Sequence, residues 1–216
     1  MSVLKAKRLR FTPIAIVTGV VGAALLTVSM TGTLSGFVAS ITNNSNTGTS
    51  GSIVMQEKTT GGTPVTCLST DGGTASTNTS TCSTINKFGS ALLTPGNSNV
   101  TSITIADLGS VAPGTFTLST GTPCVQTSVG TYSGTAIDYC SKVNVVITSG
   151  ATTVFSGTAL SLGAATASSF TMPAVLPTAN DATSTPFTIT ATLAAASGNT
   201  YQGLQASVPM IWTFTS

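Results

Sequence analysis

Short segments rich in β-branched and aromatic residues recur from residue 52 to the end of the chain, and they limit the folds open to it. These segments are SIVMQE (52–57), SNVTSITIADL (98–108), GTFTLST (114–120), KVNVVITS (142–149), TTVFSGTAL (152–160), PFTITATLAA (186–195) and LQASVPMIWTFTS (204–216). Turn-forming pairs such as Pro95-Gly96 and Ser149-Gly150 separate them. Helical periodicity is unconvincing after residue 50, although GTALSLGAAT (157–166) can hold a short helical turn. The pattern predicts a single all-β domain, a β-sandwich of jelly-roll or immunoglobulin-like kind.

The composition leaves few side chains for chemistry. Only 6% of residues are charged and none is histidine, so a catalytic serine would lack its usual base and a zinc site its usual ligands. Lys87 or Lys142 could activate a serine, but a solvated surface lysine is the simpler interpretation of each. Asp107, Asp138 and Asp181 could help to bind calcium, but no EF-hand loop motif is present. We therefore predict that the protein is not an enzyme and has no cofactor or metal site.

Positive charge is concentrated at the N-terminus. Four of the seven basic residues lie within the first ten positions, namely Lys5, Lys7, Arg8 and Arg10. Residues 11–36 carry no charge, and small residues follow at Thr33 and Ser35. This order is typical of a signal peptide over residues 1–35, cleaved after Ser35 by signal peptidase. The alternative is an uncleaved anchor, since residues 11–41 are long enough to span a bilayer.

Cleavage would change the charge of the protein. Three lysines and five acidic residues remain beyond the signal peptide, so the formal net charge becomes 3 − 5 = −2. Such a chain has nothing to attract nucleic acid, and we expect no membrane contact after cleavage.

All four cysteines lie beyond the predicted signal peptide, at Cys67, Cys82, Cys124 and Cys140. None belongs to a C-x-x-C pair, so disulfides in an exported protein are the natural interpretation. Three connectivities are possible. Pairing 67 with 82 and 124 with 140 closes two local loops of about 15 residues, each worth roughly 3 kcal/mol in the chain-entropy model. We favour this pairing, and free buried thiols are the alternative.

The segment 61–84 differs from the rest of the chain, because it is Thr, Ser and Gly with almost nothing to bury. We expect it to be a surface insertion closed by the first cysteine pair, and not a pair of strands. Asn43, Asn78 and Asn99 each begin an N-x-[ST] sequon, which exposed polar loops also produce by chance.

Three stretches resemble a known family when taken in order. They are TLSGFVASITNNSNTGTSGSIVMQ (33–56), LLTPGNSNVTSITIADLGS (92–110) and AASGNTYQGLQASVPMIWTF (195–214). The last contains an Asn-x-Tyr-Gln-Gly motif, Asn199, Tyr201, Gln202 and Gly203, before a final strand with Trp212. In this order they resemble the TasA and camelysin family of exported bacterial fibre proteins. The resemblance implies a jelly-roll domain that assembles into extracellular surface or biofilm-matrix filaments.

The same resemblance implies a role for the residues that follow the cleavage site. In such fibres the N-terminal stretch of one subunit adds a strand to the sheet of its neighbour, so the partner is another copy of the chain. The segment suited to this is Gly36, Phe37, Val38, Ala39, Ser40, Ile41 and Thr42. Phe37, Ala39 and Ile41 share one face of such a strand and could fill a groove. We expect residues 36–50 to form the donor strand and a polar linker, and residues 51–216 the sandwich.

Two other functions remain open. A pilin-like subunit would keep FTPIAIVTGVVGAALLTVSM (11–30) as a helix in a filament core, although the glycine and glutamate expected there are missing. A secreted adhesive module without polymerisation would use tyrosines such as Tyr132, Tyr139 or Tyr201, which core or rim positions explain more simply. A metalloprotease activity described for one branch of the family is not transferred, because the chain has no histidine.

Overall fold

A computed structural model describes residues 47–72 and 78–216. The strands are β1 (Met55–Thr59), β2 (Thr66–Leu68), β3 (Ser98–Asp107), β4 (Thr115–Ser119), β5 (Val125–Ser128), β6 (Val143–Ser149), β7 (Thr152–Thr158), β8 (Ser184–Leu193), β9 (Leu204–Ser207) and β10 (Ile211–Thr215). Two short helices, α1 (Tyr139–Lys142) and α2 (Ala159–Gly163), and three single 3₁₀ turns, Ala167–Ser169, Ala179–Asp181 and Asn199–Tyr201, complete the described elements. The all-β prediction is confirmed.

The larger layer is a six-stranded sheet in the order β2-β1-β3-β8-β6-β7, with every pair antiparallel. Its two long central strands, β3 and β8, carry alternating β-branched residues that favour a pleated surface. Gly150 connects β6 to β7 with a φ of 56°, a left-handed conformation that glycine adopts without strain. The tight connection predicted at Ser149-Gly150 is therefore present.

The second layer is a bent two-stranded ribbon. β4 pairs with β10 and β5 with β9, so residues 115–128 run antiparallel to residues 204–215. The pairing is interrupted in the middle, where Pro123 and Pro209 have no N–H to donate. The ribbon packs face to face on the large sheet, since the ring of Phe187 in β8 lies 4.6 Å from that of Trp212 and 5.8 Å from that of Phe116. The result is a sandwich-like arrangement of two layers.

The core lies between these layers. Ile103, Phe187 and Ile189 from the sheet and Leu118 from the ribbon are almost completely buried. Burying a side chain of this size stabilises the fold by about 1.5–3 kcal/mol. The short helices close one end of the core, where α2 contacts β6 and β7.

Several strand boundaries differ from the sequence-based prediction. The segment 204–216, expected as one strand, forms β9 and β10 because Pro209 interrupts it. The segment 152–160 ends as a strand at Thr158, whose hydroxyl accepts from the Ser161 N–H and begins α2, the helical turn expected there. β5 and α1 were not predicted, since each spans only four residues.

Among the described residues of the segment 61–84 there is one strand, which the sequence did not predict, and its partner lies outside the segment. Thr66–Leu68 forms β2 and pairs with β1, with Cys67 opposite Glu57. The adjoining β1 offers free backbone groups, and three residues suffice to meet them at a sheet edge. The structure joins Cys67 to Cys82 and Cys124 to Cys140, the pairing favoured by local spacing.

The predicted signal peptide and donor strand, residues 1–42, lie outside the described residues. Among the residues that the structure describes, no helix combines the length and apolar character needed to cross a membrane.

Candidate functional site

The C-terminal segment 204–215 shows an unbroken alternation that runs through both of its strands. The residues that pack against the core are Leu204, Ala206, Val208, Met210, Trp212 and Phe214. The residues between them are exposed: Gln205, Ser207, Pro209, Ile211, Thr213 and Thr215. This is the period of two expected of a strand with one face on a core. We call residues 204–215 the C-terminal edge.

One flank of the C-terminal edge is covered. There it pairs with β4 and β5, and beyond these strands lie the residues that follow α2. The Thr120 hydroxyl donates to the Ala165 carbonyl at 2.8 Å. Gly163 approaches so closely that a Cβ atom there would lie 2.3 Å from the Cys124 nitrogen. The inward side chains of β4, Phe116 and Leu118, are buried on this flank.

No strand of the described residues pairs with the other flank of the C-terminal edge, which we call the open flank. Within residues 47–72 and 78–216, β10 pairs only with β4 and β9 only with β5. The inward side chains show the consequence, because Phe116 and Leu118 of β4 are 4% and 0% exposed while their cross-strand partners Phe214 and Trp212 are only half-buried. Core coverage therefore decreases from β4 to β10, in the direction where a further strand would lie.

Trp212 is the central residue of this half-covered face and the single tryptophan of the chain. Its ring packs against Phe187 and Phe116, while its Nε1 atom is buried without a hydrogen-bond acceptor among the described residues. An unsatisfied buried donor costs about 1–3 kcal/mol.

The outer strands of the large sheet are less suitable for strand addition. The Val154 carbonyl of β7 already accepts from the Thr171 N–H at 3.0 Å, and β2 has only three residues, one of them in a disulfide. Neither presents a row of half-covered aromatic side chains. The C-terminal edge is therefore our candidate site.

The Asn-x-Tyr-Gln-Gly motif positions the start of this edge. Gly203 has a φ of +62° and ends the turn before β9. A Cβ atom at Gly203 would lie 2.6 Å from the Tyr132 carbonyl, and one at Gly134 would lie 2.0 Å from the Thr200 carbonyl. The Gly134 N–H donates to the Gln202 carbonyl at 2.7 Å. The motif is thus a tightly packed turn against residues 129–136.

Tyr201 of the motif also meets a small charged group. Lys142 Nζ lies 5.7 Å from the centre of the Tyr201 ring and 3.3 Å from Asp138 Oδ2. The Tyr201 hydroxyl, and after it Lys142, lowers the pKa of Asp138. Asp138 in turn raises the pKa of Lys142, and burial raises the pKa of Tyr139. These partly exposed groups lie where α1 meets the motif.

Lys87 does not lie on a solvated face as the sequence indicated. Its Nζ atom lies 2.8 Å from Glu57 Oε1, with side-chain exposures of 12% and 9%. The two side chains therefore form a nearly buried salt bridge. The sequence did not indicate this pair, because Glu57 lies on β1, 30 positions before Lys87.

The remaining candidate residues are not assembled into one site. Asp107 is completely buried near the 3₁₀ turn that holds Asp181, whereas Asp138 pairs with Lys142. In the described ranges no three metal-ligating side chains come together. Of the three tyrosines, Tyr139 is 5% exposed and Tyr201 is half-buried, but Tyr132 is 85% exposed and does not occupy the core or rim position expected of it.

In two of the three sequons the asparagine side chain already donates hydrogen bonds within the protein. Asn78 donates to the Ile53 carbonyl, and Asn99 donates to the Phe88 and Ala91 carbonyls. Asn43 lies outside the described residues.

The sequence matches no protein-family model and shows no significant similarity to a curated protein. The structure defines a class: a two-layer, antiparallel all-β protein with two disulfides, in which no strand of the described residues pairs with the outer flank of the C-terminal edge.

Proposed function

We propose that this protein is a secreted structural subunit that polymerises into extracellular surface or biofilm-matrix filaments by strand donation between copies. The observation that carries the proposal is the open flank of the C-terminal edge, where Trp212 and Phe214 remain half-buried beside fully buried partners. A strand added to this flank would gain main-chain hydrogen bonds and cover these side chains. No catalytic function is proposed.

The donor in this proposal is residues 36–42. Their alternation places Phe37, Ala39 and Ile41 on one face, complementary to an apolar sheet margin. Burying Phe37 and Ile41 would contribute about 1.5–3 kcal/mol each before ordering costs. The polar residues 43–50 would then link the donor strand to its own domain.

Export and a jelly-roll connectivity belong to the same proposal. They are supported by the basic and apolar N-terminal sequence, by the two disulfides, and by the resemblance to the TasA and camelysin family. Signal peptidase would release Gly36 as the new N-terminus and thereby free the donor strand.

One observation favours a second function, that of an adhesive module. Tyr132 and Ile137, at 85% and 93% exposure, lie on the same loop between β5 and α1. Binding residues are often carried on loops, and these two side chains are available to a partner. Two such residues make a smaller contact than the open C-terminal edge, so polymerisation is the better supported function.

The test is electron microscopy of the protein beginning at Gly36 and of a truncated form beginning at Gly48. We expect filaments only from the longer form, while circular dichroism shows that both are folded. The described core cluster contains only residues from Met55 onward, so truncation leaves it intact.

Two double variants of the protein beginning at Gly36 test whether the residues of the donor segment matter, and not only its presence. Phe37→Ser with Ile41→Ser should abolish filaments, and Val38→Ser with Thr42→Ser, on the opposite face, should preserve them. Filaments from the truncated form, or monomers from the intact protein, would refute strand donation.

A further inference from the structure

We infer that the donated strand of a second copy lies along β10 in a register that places Ala39 opposite Trp212. This inference rests on the proposed function and adds the acceptor strand and the alignment. Neither the sequence pattern nor the resemblance specifies them.

The number of inward positions fixes the alignment. β9 is in contact with α1, which leaves β10 and the residue before it for an added strand; the inward residues there are Met210, Trp212 and Phe214. The donor segment offers Phe37, Ala39 and Ile41. When the three donor residues are paired with the three acceptor residues, Ala39 lies opposite Trp212, whether the strands run parallel or antiparallel. A slip of one residue would turn Phe37 and Ile41 toward solvent.

Side-chain size selects the same alignment. Packed layers alternate large and small residues across facing positions, and Ala39 is the one small inward residue of the donor segment. Opposite Trp212 it leaves room for the indole ring, which already fills the space above Phe187 with 4.6 Å between ring centres. A slip of two residues would instead set Phe37 or Ile41 against that ring and crowd it.

The outward residue that lies opposite Ser40 differs between the two possible strand directions. Ser40 faces Thr213 if the strands are parallel and Ile211 if they are antiparallel. Both acceptor positions are exposed, so cysteines placed there can react without disturbing the core.

The experiment uses mixtures of two intact proteins that begin at Gly36. One carries Ser40→Cys, and the other carries Thr213→Cys, Ile211→Cys or, as a control on the β7 edge, Ser156→Cys. After filament assembly and mild oxidation, non-reducing electrophoresis measures the disulfide-linked dimers. We expect dimers with Thr213→Cys or with Ile211→Cys, and none with Ser156→Cys.

Other outcomes overturn the inference in distinguishable ways. Filaments without a dimer at either β10 position, or with a dimer at Ser156→Cys, would refute the acceptor strand and its register while the proposed function stands. A monomeric product linked internally in a single chain carrying Ser40→Cys with either β10 cysteine would refute a second copy as the donor. Absence of filaments from the parent protein would refute the proposed function itself.

A size test needs no cysteines. Ala39→Leu should abolish assembly by crowding Trp212, whereas Ser40→Leu on the outward face should allow it. Assembly of both variants to the same extent would refute the register.

Discussion

Lys87 Nζ lies 2.8 Å from Glu57 Oε1, and this nearly buried ion pair connects the segment before β3 to strand β1. Removing one partner of such a pair leaves a buried charge uncompensated. We expect Lys87→Met to lower the free energy of unfolding by about 3 kcal/mol. Denaturant unfolding followed by circular dichroism would measure the change.

The exposed Lys58 on the same strand provides the control for that variant. Lys58→Met should change the free energy of unfolding by no more than about 0.5 kcal/mol. Equal effects of the two substitutions would show that the ion pair does not contribute to stability.

The turn that ends at Gly203 should tolerate no side chain. Gly203→Ala combines a left-handed backbone with a clash against the Tyr132 carbonyl, so we expect a loss of about 2 kcal/mol or more. Gly198→Ala, five residues earlier, has open space and an ordinary φ of −86°, and it should be nearly neutral. Thermal unfolding of both variants measures the two losses of stability, and equal losses would contradict the predicted role of Gly203.

The Cys124–Cys140 disulfide ties the residue before β5 to α1 across 16 positions. Replacing both cysteines by alanine should cost about 3 kcal/mol through the larger entropy of the unfolded chain. Guanidinium unfolding measures this loss in the free energy of unfolding. The parent protein under reducing conditions should lose at least the same amount. A change below about 1 kcal/mol would argue against a stabilising role.

Acid should weaken the contact between α1 and the motif turn. The folded pKa of Asp138 lies below its ordinary value of 3.8, so its stabilising effect is complete above that pH and is lost as the pH falls through the folded value. Carbon NMR titration of the carboxyl should show this lowered pKa, and Tyr201→Phe should raise it. Tyr132→Phe, a change at an exposed loop tyrosine, should leave it unaltered.

Local sequence signals predicted the parts of this fold that local physics determines. Alternating β-branched residues located β3, β6 and β8, and Gly150 located a tight turn, because each depends on neighbours in the chain. β2 was missed because its three residues are too short a run to show a pattern and form a strand only through pairing with β1. Such pairing between distant segments leaves no local pattern.

The candidate site was predictable only in part for the same reason. The sequence predicted that Trp212 lies in a terminal strand. It did not predict which flank of that strand is paired, because the pairing partners β4 and β5 lie some 90 residues earlier. The ion pair of Glu57 and Lys87 likewise joins two segments that the sequence separates.

The attachment of β1 has a mechanical consequence. Ahead of this strand, the Asp107 carboxylate accepts from the Val54 N–H at 3.0 Å, and the Val54 carbonyl accepts from the Leu108 N–H at 2.8 Å. β1 itself lies between β2 and β3. Tension applied to the chain ahead of residue 54 and directed along β1 would load its bonds to both neighbours in shear, so that they must fail together and not one after another.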